Sequence, residues 1–207
     1  MQMKKNQKIK IKKSRVLAVI LVVGVLLGLF YLKTRNKLQV VTVISEIGDY
    51  HYTLESNTTR IYKKYYKELE KELADNRIDE ENYASLISKL FVIDYYTLSN
   101  KITNKNIGGT EFIHSNLKDR FIKDSSDTIY KYIENNLYGN RKQNLPEVNE
   151  VEVEKISQIK YQNDSYHDDS AYQVEIKVGY VKDYDYPKKV VLTIIHEENK
   201  LAIIEIK

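Results

Sequence analysis

The sequence predicts an α+β protein with an N-terminal transmembrane helix, followed by about three helices packed on a curved, antiparallel four-stranded sheet. Three observations predict it. An uncharged apolar run occupies residues 16–32, apolar residues recur at i, i+3 and i+4 between residues 58 and 100, and period-two alternation begins after Pro146. Helical patterns come first and strand patterns last, an order typical of an α+β domain rather than of alternating βαβ units.

The apolar run of residues 16–32 contains 17 residues and no charge. As a helix it spans about 26 Å, enough to cross a bilayer. Phe30-Tyr31-Leu32 at its outer end offers no small-residue cleavage site, which favours an uncleaved signal-anchor over a cleaved signal peptide. Seven basic residues lie within residues 1–15, so we expect that tail in the cytoplasm and the chain after residue 33 outside the cell membrane, with the lipid bilayer as a partner.

The charge distribution argues against nucleic acid as a partner. The net charge is +4, but seven of the 33 basic residues belong to the tail, so 26 basic residues face 29 acidic residues beyond it. A basic juxtamembrane tail is explained by topology and by anionic lipid. The chain has no cysteine and therefore no disulfides, and its abundance of Lys, Asn, Ile and Tyr is typical of a bacterial protein from an AT-rich genome.

Residues 33–54 are predicted to form a stalk, either helical or extended, and residues 55–207 an extracytoplasmic α+β domain. The β-branched run that begins at Val40 would also suit a first strand. Two helices are then expected, the first over residues 58–75 and the second from its cap at Asp79 to about Asn100. Their short connection predicts a helical hairpin.

A Gly-containing loop at 104–110 separates this hairpin from a third helical region, predicted from Phe112 to Leu137 with Gly139 as its C-cap. Four strands follow in an antiparallel meander. They are expected at about 150–161, with a bulge near Lys155, and at 171–182, 188–196 and 201–206.

This succession of helices and long strands, ending in VVLTIIHEENKLAIIEIK, resembles the cystatin-like cone of nuclear-transport-factor-two-like domains. Such domains include those carried outside the membrane by conjugative-transfer and secretion proteins. The resemblance covers residues 55–207 and implies a concave pocket between helices and sheet, which relatives use for small ligands, catalysis or assembly. Fold alone selects none of these uses.

Chemistry-bearing residues are few. Asp94 shares the apolar face of the second helix, where it would act as a general acid or base if desolvated, or serve as a hydrogen-bonded structural carboxylate. His51, His114 and His196 are isolated in sequence, and the acidic loop at 163–170 lacks the spacing and the glycine of a calcium loop. We therefore predict no metal and no cofactor.

In the membrane segment, Gly24 and Gly28 form a G-x-x-x-G pattern that would let two helices approach and self-associate as a homo-oligomer; the simpler explanation is that glycine is frequent in membrane helices. The numerous tyrosines, 18 in all, suit either a core or a partner-binding surface.

Together these patterns favour a non-enzymatic, single-pass binding or assembly module displayed outside the cell, with a protein partner in a bacterial envelope or transfer complex. One alternative is a pocket enzyme that uses Asp94 as acid or base. The other is an envelope sensor, although a cytoplasmic tail of about fifteen residues is too short to fold as an output domain.

Overall fold

The computed structural model describes residues 20–29 and 38–207. Residues 20–29 form helix α1, and Gln39–Lys207 forms one compact unit. The basic tail of residues 1–15 and both ends of the predicted transmembrane helix 16–32 lie outside the described residues. Within residues 20–29 and 38–207, no helix combines the length and the apolar character that crossing a bilayer requires.

The compact unit is an α+β domain with an antiparallel four-stranded sheet, as predicted. Its elements in chain order are β1 (Val43–Ile47), β2 (Tyr52–Glu55), α2 (Arg60–Leu73), α3 (Glu80–Tyr96), α4 (Lys118–Asp127), β3 (Val148–Gln162), β4 (His167–Tyr180), β5 (Lys189–Glu197) and β6 (Lys200–Ile206).

The predicted stalk of residues 33–54 contributes to the domain core. Strands β1 and β2 pair antiparallel as a hairpin, and Tyr52 and Leu54 are buried. The compact unit therefore begins at Gln39 and not at residue 55. Only every second residue of β2 points inward, so two buried side chains are enough to fix the hairpin to the helices.

Helices α2 and α3 confirm the predicted helical pair. Thr59 caps α2 by accepting from the amide of Tyr62, and Asp79 caps α3 by accepting from the amides of Glu81 and Asn82. Helix α3 is buried on most of its circumference because α2 packs on one side of it and strands β3 and β4 on the other. It is the central element of the domain.

The predicted third helix, Phe112 to Leu137, is wrong over most of its length. Only α4 is a regular helix, and Gly139 closes a turn in the following loop by donating its amide to the carbonyl of Asn136. The helix ends because side-chain hydroxyls bind its last carbonyls: Ser126 donates to Lys123 O at 2.7 Å and Thr128 to Asp124 O at 2.6 Å.

The sheet order β3-β4-β5-β6 confirms the predicted meander. The register between β3 and β4 shifts between Val153 and Lys155, where the sequence predicted a bulge. At the far edge, Phe112 and His114 exchange backbone hydrogen bonds with Ile203, so the segment before α4 covers part of β6.

Tyrosines form part of the core. Among the described residues, eight tyrosines are buried. The hydroxyls of Tyr52 and Tyr83 lie 2.6 Å apart, and Tyr66 donates to the carbonyl of Tyr52 at 3.0 Å. These bonds tie the β1–β2 hairpin to α2 and α3, because each hydroxyl finds a partner away from water.

Candidate functional site

A polar cavity of about 150 Å³ lies where the β1–β2 hairpin meets α2, the end of α3 and the loop that follows it. An apolar cavity of roughly this size holds a molecule such as benzene. The lining residues are Val41, Thr53, Glu55, Asn57, Thr58, Tyr62, Asp94, Lys101, Asn106, Ile107, Thr110 and Glu111. None of them belongs to β3–β6, so this cavity differs from the helix–sheet pocket that the resemblance implied.

Asp94 lines this cavity, and both of its carboxylate oxygens are occupied. Lys101 Nζ donates to Oδ1 at 2.5 Å, and the amide of Gly109 donates to Oδ2 at 2.6 Å. The Lys101 side chain is only 7% exposed and that of Asp94 is 22% exposed. Asp94 therefore neutralises a buried ammonium and holds the loop of residues 101–109 against the end of α3.

The glycine pair in this loop serves the protein's own groups. Gly108 donates its amide to Tyr130 Oη at 3.0 Å, and Gly109 has a φ of +71°. A Cβ at Gly108 would lie 2.3 Å from the backbone oxygen of Asp94, so the loop approaches α3 too closely for any side chain.

Glu111 is the second acidic group in the cavity and the one with the most perturbed ionisation. Its Oε2 accepts from the amide and the hydroxyl of Thr53, each at 2.9 Å, and its Oε1 accepts from Tyr62 Oη at 3.0 Å. Burial raises the pKa of Glu111 to about 7, although these hydrogen bonds lower it. The carboxyl thus changes charge near neutral pH.

The remaining polar lining is rich in acceptors. Asn57 donates to the carbonyl of Asn100 at 3.0 Å, while its own Oδ1 is buried without a partner among the described residues. Partial burial raises the pKa of Glu55, and the nearby charge of Asp94 raises it further. The lining therefore holds three carboxyl groups against one lysine, which favours a positively charged, donor-rich ligand.

The predicted histidine and acidic-loop residues lie elsewhere. His114 accepts from the amide of Asn116, and His51 pairs with Glu46 on the surface. Burial lowers the pKa of His196, but the adjacent Asp168, 2.9 Å away, outweighs it and raises the pKa. Within the part of the chain that the structure describes, no three His, Asp or Glu side chains converge in a way that would hold a metal ion.

Sequence reasoning identified Asp94 but missed Lys101 and Glu111. Both lie in irregular segments, where no periodicity indicates which side chains turn inward. The one available signal for Glu111 is its position between the glycine pair and Phe112, a residue that is 1% exposed.

Comparison of the chain with protein-family models, with curated proteins and with solved structures found no significant match in any of the three. The nuclear-transport-factor-two-like resemblance therefore stays an expectation, and the site is argued from its own geometry.

Proposed function

We propose that this protein is a single-pass, membrane-anchored, extracytoplasmic binding module whose ligand site is the polar cavity. The observation that carries the proposal is the imbalance of the lining, with Glu55, Asp94 and Glu111 against Lys101. An ammonium group satisfies this imbalance, whether it belongs to a small amine or to a lysine side chain of a protein partner in an envelope complex.

The anchor part of the proposal is supported by the apolar run of residues 16–32 and the basic tail before it. We expect protease added to intact protoplasts to remove the chain after about residue 33, while an epitope tag placed before Met1 stays protected. An antibody to the C-terminal domain and one to the tag monitor the two parts. Full protection of the domain would contradict the orientation, and a mature N-terminus beyond residue 30 would contradict an uncleaved anchor.

The binding part is tested with n-butylammonium as probe and butan-1-ol as its neutral isostere. We expect the ammonium ion to bind with a dissociation constant on the order of 1 mM, measured by NMR shifts of the amides of Thr53 and Gly109. Binding should strengthen between pH 6 and pH 8, because ionisation of Glu111 adds the negative charge that attracts the cation.

Glu111→Gln is the matched variant for this experiment, since it keeps the shape of the side chain and removes its charge. It should weaken ammonium binding and flatten the pH dependence. Equal binding of butan-1-ol and n-butylammonium, or a response that Glu111→Gln leaves unchanged, would overturn the cavity as a cation site.

The alternative of a pocket enzyme with Asp94 as acid or base has less support, because both oxygens of Asp94 are engaged within the domain. Gly24 and Gly28 lie four residues apart in α1 and so share a helix face, which leaves self-association in the bilayer as part of the proposal. No specific observation favours the envelope sensor.

A further inference from the structure

Exposed apolar and aromatic side chains occur close to the point where the chain enters the domain. Val40 is 75% exposed, Tyr132 76% and Tyr138 52%. Large side chains this exposed, on neighbouring segments of a soluble domain, commonly mark a contact surface.

The segment that carries both tyrosines is fixed to the domain. The amide of Gln39 donates to the carbonyl of Leu137 at 2.7 Å, which places Tyr138 on the segment beside Val40. Arg141 holds the returning part of the same loop by donating to the carbonyls of Ser99 and Lys101, at 2.6 and 2.8 Å. The aromatic side chains are therefore presented by a supported loop.

The covalent chain limits how far this surface lies from a membrane. The predicted transmembrane helix ends at residue 32, and seven residues further on is Gln39, which is hydrogen-bonded to the loop. Seven extended residues reach at most about 25 Å. The loop must therefore lie close to the bilayer surface, provided that the proposed anchor spans the membrane.

The chemistry of the loop suits the headgroup region. Tyrosine is enriched at membrane–water interfaces, where its ring meets the acyl chains and its hydroxyl meets water. Lys131 Nζ lies 5.3 Å from the ring centre of Tyr132, so a positive charge accompanies the aromatic ring as lipid phosphates require.

We infer that Tyr132, Tyr138 and Val40 form a lipid-facing surface that rests the domain on the outer leaflet beside its own anchor. The inference rests on the proposed membrane anchor and is independent of the ligand of the cavity. Val41 lines that cavity, so a domain resting on this surface would hold the cavity close to the membrane.

The chain contains no tryptophan, so a single introduced tryptophan reports its own environment. We would reconstitute full-length Tyr132→Trp and Tyr138→Trp in vesicles of phosphatidylcholine and phosphatidylglycerol, with and without lipids brominated near the headgroup end of their chains. Ser165→Trp is the control, because the β3–β4 turn lies at the other end of a 15-residue strand, about 50 Å from Val148. We expect bromolipid to quench tryptophan at 132 and 138 at least about twofold more than at 165, as interfacial burial requires.

Flotation of the same vesicles separates the two proposals. Chain that does not float with the lipid would overturn the anchor and this inference together. Chain that floats, but whose tryptophan at 138 is quenched no more than that at 165, would overturn the lipid-facing surface and leave the anchor intact.

Discussion

Asp94→Ala should destabilise the domain by about 3–5 kcal/mol, because it leaves the ammonium of Lys101 buried without its partner. Lys101 is 6% exposed, and no water-filled surface is available for its charge without moving the loop. The same change also removes the acceptor for the amide of Gly109. Urea unfolding of residues 39–207, monitored by circular dichroism, measures the loss.

Two further variants show whether the ion pair is the cause. Asp94→Ala combined with Lys101→Met should recover most of the lost stability, since an apolar pair can replace a buried ion pair. Asp124→Ala removes the carboxylate of an exposed pair with Arg120, whose side chains are 63% and 83% exposed, and should cost less than about 1 kcal/mol. A loss in Asp94→Ala that Lys101→Met does not relieve would contradict this account.

The parts of the fold that the sequence predicted are those in which burial repeats along a regular element. The apolar residues of α3 recur with the helical period, and Val174 and Ile176 alternate with Glu175 because one face of β4 is buried. Even the bulge was readable, since Val153 and Ile156 fall in opposite phases.

The failures have equally physical causes. The apolar residues Tyr130 and Ile133 are buried, but they pack in turns because the hydroxyls of Ser126 and Thr128 end α4 before them. In the β1–β2 hairpin, Val43 and Ile44 are more than half exposed, so hydrophobicity alone did not show which residues join the core.

The cavity was the least predictable feature. Asp94 and Lys101 lie seven residues apart on either side of a helix end, and Glu111 meets Thr53 from 58 residues away. Such contacts follow from the tertiary path of the loop, which carries no periodic signal. Only the helical face of Asp94 pointed toward this site.

Glu111→Gln should remove a fall in stability that the unchanged domain shows between about pH 4.5 and pH 7. The pKa of Glu111 is raised to about 7 by burial, so the folded state holds this proton more tightly than the unfolded chain does. Stability therefore decreases as pH rises through this range and levels off above it. A shift from 4.5 to about 7 corresponds to roughly 3 kcal/mol.

Other groups titrate in the same range, so the informative quantity is the difference in unfolding free energy between the unchanged domain and the variant, measured from pH 4 to pH 8.5. We expect Glu111→Gln to gain stability relative to the unchanged domain as pH rises to 7, and then to hold that gain. Glu70→Gln, on the exposed side of α2, is the matched control and should show no such trend. If the difference for Glu111→Gln stayed constant with pH, the carboxyl would be ionised throughout, and the cavity would carry its full negative charge even in mild acid.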